Sequence, residues 1–258
     1  MQVIALCNQK GGVGKTTTTY HLTRAAAVQG RKVLAIDLDP QANLTMCLAA
    51  DDVEPDSLSI ADVLSPRAGE SPAEVKVPGL WEGVELIPAV TQPLAAVAQE
   101  LVGVAVGRES RLKSALNDYE GEHDLVLIDC PPELGQLTIN ALAAADRAAV
   151  VTATRFFAMQ GTASVLDSID TIRAHYNPAL VMAGLIVNAH EAHTVTGRSR
   201  LEEMQNAGLP VLEPIVPKRA PINDSLEAAT GLDQWGGDGP DLAQLYTALL
   251  THLEETPR

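Results

Sequence analysis

Aromatic side chains are scarce in this 258-residue sequence, where Phe, Trp and Tyr together make up 3%. The core must therefore be built from Ala, Val, Leu and Ile, which suits a parallel sheet buried on both faces. Cysteine is scarce as well: Cys7, Cys47 and Cys130 are odd in number and share no metal-ligand spacing. That argues against a disulfide framework or a cysteine metal site and predicts reduced, mostly buried thiols. Basic residues number 18 against 33 acidic ones, a formal charge of −15. Such a chain does not attract nucleic acid or anionic lipid as a whole, so any contact with DNA must be a local patch. No apolar run approaches the length of a bilayer span. Met1-Gln2-Val3 opens with neither a basic lead nor a cleavage-site pattern, which predicts a cytoplasmic protein. No internal repeat is visible.

Apolar residues are plentiful at 46%, enough for one large core, and we expect residues 1–258 to form a single α/β domain. Strand-like runs recur at about 2–7, 32–37, 84–88, 124–128, 147–152 and 180–187, mostly separated by segments of helical period. This alternation predicts a doubly wound, mostly parallel sheet flanked by helices. Residues 50–83, rich in Asp, Glu, Ser and Pro, predict an irregular connection with one short helix. Near the end, Leu242, Leu245, Tyr246, Leu249, Leu250 and Leu253 form one apolar stripe of a last helix.

Chemistry enters at Lys10-Gly11-Gly12-Val13-Gly14-Lys15-Thr16-Thr17, which follows an apolar strand and opens a helical stretch. Strand, glycine-rich loop and helix are the context of a phosphate-binding loop: backbone N–H groups curl around phosphate oxygens and the helix offers its positive end. Lys15 reaches the β- and γ-phosphates and Thr16 ligates Mg²⁺. The common pattern G-x-x-x-x-G-K-[ST] would put its first glycine at Gln9, so the loop departs from that form and carries Lys10 one position later. This is a nucleoside triphosphate site of P-loop type.

Two carboxylate segments join it. Leu125-Val126-Leu127-Ile128-Asp129 is an apolar strand ending in a carboxylate, which places Asp129 beside a bound Mg²⁺. Cys130, Pro131 and Pro132 follow it, with no Glu to activate water. Asp37-Leu38-Asp39-Pro40-Gln41 supplies that group: in extended chain Asp37 and Asp39 share a face about 7 Å apart. Asp37 is assigned to Mg²⁺ or Thr16, and Asp39 to the attacking water. The competing reading of Asp39 is a turn or helix cap ahead of Asn43.

These segments, KGGVGKTT, DLDPQAN and IDCPPELGQLTINAL, resemble the deviant Walker A, A′ and B motifs of the ParA/Soj family of plasmid and chromosome partition ATPases, within the ParA/MinD class. The likeness continues through Ala145-Asp146-Arg147 and Phe156-Phe157-Ala158-Met159-Gln160-Gly161, and more loosely through Pro214 to Arg219. The resemblance implies an ATPase that binds ATP and Mg²⁺ and forms a nucleotide-sandwich homodimer. In that state it would bind DNA without sequence preference, and it would hydrolyse ATP slowly until a ParB-type partner stimulates it. Lys10 is then the signature lysine that crosses to the partner's phosphates, as an arginine finger would. Lys15 and Thr16 act in cis, Gly11, Gly12, Val13 and Gly14 shape the loop, Thr17 meets the α-phosphate, and Asp129 acts on Mg²⁺ through water.

By the same resemblance Asn188 and Pro217 frame adenine, and Arg198, Arg200, Lys218 and Arg219 make the DNA-facing patch. An Asn cap and an ordinary charged surface are the competing readings. Glu133 departs from the pattern by adding negative charge beside the presumed switch loop. The chain also lacks the N-terminal helix-turn-helix extension of larger partition ATPases, so sequence-specific operator binding is not expected. A MinD-like membrane ATPase would end in a basic amphipathic helix, whereas 241–257 holds no Lys or Arg. A small-molecule synthetase of this fold would not need Lys10, and a nitrogenase-iron-protein-like dimer needs a cysteine pair where Cys130 is alone. A ParA-like ATPase positioning a cargo other than DNA is the main alternative.

Overall fold

The computed structural model describes residues 1–154 and 158–256, and only the backbone of 158–163. Phe156 and Phe157 lie outside the described residues, as do the side chains of Ala158 to Gly161. In chain order the first half comprises β1 (Gln2–Cys7), α1 (Lys15–Val28), β2 (Val33–Asp37), α2 (Asn43–Leu48), α3 (Ile60–Leu64), α4 (Pro72–Val75), β3 (Val77–Pro78), β4 (Val84–Ile87), α5 (Thr91–Gly103) and α6 (Arg111–Asn117). Then come β5 (Leu125–Asp129), α7 (Gln136–Ala144), β6 (Arg147–Ala153), α8 (Ala158–His175), β7 (Val181–Asn188), α9 (Val195–Asn206), α10 (Ala220–Glu227), a 3₁₀ turn (Leu232–Gln234) and α11 (Gly239–Glu255).

The strands form one sheet in the order β3-β4-β2-β5-β1-β6-β7, parallel except where β3 meets β4. Consecutive side chains go to opposite faces, and each face has its own core. Ala5 and Cys7, Leu34 and Ile36, and Val126 and Ile128 pack on one side. Ile4 and Leu6, Val33 and Ala35, and Leu125 and Leu127 pack on the other, with α1 and α11. Every strand that is buried on both faces must be apolar throughout, which is why the runs stand out in the sequence.

The strand and helix expectations agree with the fold except in 50–83. That stretch holds two short helices, α3 and α4, and the two-residue β3 rather than one helix in an irregular connection. Helix α1 ends at Val28, and Gly30 takes φ 74°, a left-handed turn that glycine makes without steric cost. In α11 the side chains of Leu242, Tyr246, Leu249, Leu250 and Leu253 are buried in the core, with Leu245 partly so. Its apolar stripe is therefore committed within the fold. No helix among the described residues is long and apolar enough to cross a membrane.

Candidate nucleotide site

Three strand ends converge at one edge of the sheet, because β1 pairs with β5 and β5 with β2. Leu6 and Asp37 both stand in register with Asp129, so the loop after β1 and the two carboxylates share one edge by construction. That is the edge where ligands bind in open α/β sheets.

The loop is held from below by Asn8, whose Nδ2 donates to the Val151 carbonyl at 2.6 Å and whose Oδ1 accepts from the Lys10 N–H at 3.0 Å. Gly14 has φ 91°, and a Cβ there would come within 1.9 Å of Asn188 Nδ2, so only glycine fits. No side chain caps the first turn of α1 and no acidic residue lies in it, so its positive end is left for an anion. Lys15 is buried at the start of this helix. A buried ammonium calls for a negative partner, which a phosphate supplies.

Thr16 Oγ1 donates to Asp129 Oδ2 at 2.6 Å. The contact corrects one expectation: Thr16 is served by Asp129 and not by Asp37. Asp37 instead accepts from the Asp39 N–H at 3.0 Å through Oδ1, and from the Thr45 N–H and hydroxyl, each at 2.8 Å, through Oδ2. Thr45 Oγ1 in turn accepts from the Ala89 N–H at 2.9 Å. Asp37 thus fixes the segment 39–45 while remaining fully buried beside Asp129.

Burial, opposed by the hydrogen bonds from Thr45, raises the Asp37 carboxyl to about 6. Burial and the neighbouring Asp37 raise Asp129 to about 8, against the pull of Thr16 and Lys15. Two fully buried carboxylates side by side disfavour a second negative charge unless a cation is near. Asp129 Oδ1 is also buried with no hydrogen-bond partner, an orphaned acceptor of the kind a cation or its water fills. No group of three or more His, Cys, Asp or Glu able to hold a metal occurs among the described residues. The residues fit Mg²⁺, which takes one or two carboxylates and completes its shell with phosphate and water oxygens.

Asp39 caps a turn, its Oδ1 accepting from the Gln41 N–H at 2.9 Å. It also lines a cavity of about 640 Å³ together with Gly11, Gly12, Gly14, Lys15, Thr16 and Thr17. Cap and cavity roles coexist, since a carboxylate has a second oxygen. The same cavity is bounded by Met46, Cys47 and Pro132 and, far along the chain, by Leu226, Glu227 and Ala229. Sequence reasoning passed over this last group and over Asn8 and Thr45. The run DLDPQAN with Thr45 two residues on was the one local signal for any of them.

Asn188 Nδ2 donates to the Val13 carbonyl at 2.9 Å, so its amide braces the phosphate loop. Pro217 pairs with His190 in an isolated bridge beside it, and neither Asn188 nor Pro217 is among the residues lining the cavity. The four basic residues lie farther out. Arg198 donates to the Ala192 carbonyl at 2.8 Å and Arg200 pairs with Glu203. Lys218 pairs with Glu191 at 2.6 Å and Arg219 with Asp238 at 3.4 Å. Lys10 is partly exposed on the loop, and Glu133 is exposed just beyond Pro132. Cys7 and Cys130 are buried free thiols, and burial pushes Cys7 up to about 12.

A family profile described as an AAA domain matches residues 1–182. The sporulation initiation inhibitor protein Soj of Bacillus subtilis is 36% identical over 204 residues, 79% of this chain and 79% of that protein. The chromosome partitioning protein ParA of Caulobacter vibrioides is 34% identical over 228 residues, 87% of this chain and 84% of that one. Among solved structures, a Mycobacterium smegmatis protein described as cobyrinic acid a,c-diamide synthase, with bound ATP analog and magnesium, superposes with a TM-score of 0.82. It is 34% identical, over 100% of this chain and 97% of that one.

Proposed function

The chain belongs to the ParA/Soj family of partition ATPases, and from that premise we propose that it binds ATP with Mg²⁺, dimerises around the nucleotide and hydrolyses it to move DNA. The observation that carries this reading is the buried pair Asp129 and Asp37, with Thr16 bonded to Asp129, directly beneath a glycine loop with an uncapped helix end. Mg²⁺, when bound, supplies charge neutralisation of the phosphates, and Thr16, Asp129 and Asp37 are the residues that would hold it.

In this mechanism the loop N–H groups and Lys15 bind and orient the phosphates. Thr17 meets the α-phosphate. Asp39 orients water for in-line attack through its oxygen not spent on Gln41. Lys10, outside the buried core of the site, reaches the second subunit's phosphates and offsets charge as the bond to the leaving oxygen breaks. Asn188 and Pro217 are proposed for the adenine side, with Asn188 acting through the loop it braces. Arg198, Arg200, Lys218 and Arg219 form the DNA-facing patch, and a ParB-type protein is the expected stimulating partner.

One observation favours a second reading. The partners of Arg200, Lys218 and Arg219 are carboxylates of the same chain, in a molecule of charge −15. A ParA-like ATPase that positions a cargo other than DNA fits that surface too. A membrane-cycling role fits less well, because the apolar stripe of α11 is already buried. Retention on plasmid DNA decides between the first two. The DNA reading expects retention that needs ATP, ignores sequence and falls with salt as counterions compete for phosphate. ATP-loaded protein that stays unbound at low salt transfers the proposal to the other cargo.

A further inference from the structure

Side chains of the phosphate-loop helix α1 reach across to the segment that closes the nucleotide cavity. His21 Nε2 lies 2.8 Å from the Ile222 carbonyl oxygen, in the first turn of α10. Tyr20 Oη donates to the Thr230 carbonyl at 3.4 Å, and Arg24 pairs with Asp233 at 2.7 and 2.8 Å. Between these anchor points lie Leu226, Glu227 and Ala229, which face the phosphate loop across the cavity. Ala229 adopts φ 50°, a left-handed conformation uncommon for a residue with a side chain. The wall is therefore shaped by what grips it rather than by local preference.

Of these tethers the one from His21 is both short and inside, since the residue is only 2% exposed. Burial pushes the imidazole down to about 4, so the ring is neutral at pH 7. A neutral ring whose Nε2 donates to a carbonyl leaves Nδ1 without a proton, and Nδ1 is buried with no hydrogen-bond partner. An orphaned buried nitrogen costs stability that an apolar side chain of similar volume would not. Packing alone, with the ring 4.7 Å from that of Tyr246, would be met as well by leucine. The polar ring is accounted for by its bond to Ile222.

We propose that His21 is a positioning residue for nucleotide binding: its Nε2–H holds the first turn of α10 against α1, so that the two walls of the cavity are fixed relative to each other. The proposal rests on ATP occupying that cavity. Leu226, Glu227 and Ala229 share the cavity with the phosphate loop that ATP and ADP would both occupy, so both nucleotides are expected to feel the loss.

The test is a titration of wild type, His21→Leu and His21→Gln with ATP and with ADP in Mg²⁺, alongside steady-state hydrolysis. Leucine keeps volume without a donor, and glutamine returns an amide N–H at similar reach. His21→Leu is expected to raise the KM for ATP and the Kd for ADP together by about fivefold, the worth of one hydrogen bond, with kcat within about twofold. His21→Gln is expected to restore both to within about twofold of wild type. Wild-type affinity in His21→Leu overturns the proposal, and so does an equal loss in both variants, which would assign the effect to ring packing on Tyr246. A fall in kcat at unchanged KM overturns it as well. Should His21→Leu not fold, His21→Met, also without a donor, takes its place under the same criteria. Wild-type protein that binds neither nucleotide overturns the assignment of the cavity, and this proposal with it.

Discussion

The edge formed by β1, β2 and β5 and the surface from Asn188 to Arg219 handle charge in opposite ways. At the edge, buried carboxylates are bonded across the fold: Asp129 to the partly buried Thr16, and Asp37 to the buried Thr45. At the surface, basic groups pair with carboxylates that water also reaches, such as Lys218 with Glu191. Buried contacts of the first kind hold their geometry before any ligand arrives, because breaking one strands an unsatisfied group. Exposed ion pairs contribute about 0–1 kcal/mol and are screened by salt, so they exchange readily for a phosphate. The contrast fits the proposed division, with chemistry at the edge and reversible association at the surface.

Lys15→Ala should have the largest effect, abolishing ATP binding in an equilibrium titration, because backbone donors alone do not replace a buried ammonium. Retained affinity would erase the contrast by making the inner region as replaceable as the outer. Asp39→Ala should keep ATP binding and lower hydrolysis about 100-fold, the usual weight of a group that acts on the attacking water. It should also accumulate as a dimer, and turnover at the wild-type rate would remove Asp39 from the chemistry.

Lys10→Ala, placed on the Asp39→Ala background, sharpens the comparison. Its monomer should bind ATP within about threefold of the parent if Lys10 addresses the other subunit as proposed, yet ATP-dependent dimerisation should disappear in sedimentation. Dimerisation equal to that of Asp39→Ala alone counts against a trans role. The smallest effect on the nucleotide site belongs to Arg200→Glu with Arg219→Glu, which should end retention on DNA while ATP affinity stays within about twofold. A double variant that also loses ATP would show that the outer surface is coupled to the inner edge more tightly than its exposed pairs imply.

How much of this was legible in the sequence follows the same division. The parallel strands were legible because burial on both faces demands an unbroken apolar run, and the phosphate loop because its glycines and lysines are contiguous. The strand Val77–Pro78 was not, since two residues carry no period and their pairing is decided by β4. Asp129 and Thr16 were legible as members of local motifs, although their direct contact spans 113 residues. Asp37 was singled out from its strand end, but its partner Thr45 was not, because which hydroxyl meets it is a matter of tertiary placement. Leu226, Glu227 and Ala229 left no trace, as nothing local to an eight-residue helix and the turn after it says which cavity they will face.

Thr45 has a consequence beyond the site. Its hydroxyl passes a proton donor toward Asp37 and receives one from the Ala89 N–H, so Ala89, Thr45 and Asp37 form a relay with a single direction. The relay joins the end of β2, the helix α2 and the start of the chain beyond β4 through one oxygen atom. In the language of networks that atom is an articulation point: serine in its place keeps the graph connected, whereas valine, of nearly the same shape, disconnects Asp37 from Ala89 in a single exchange of methyl for hydroxyl.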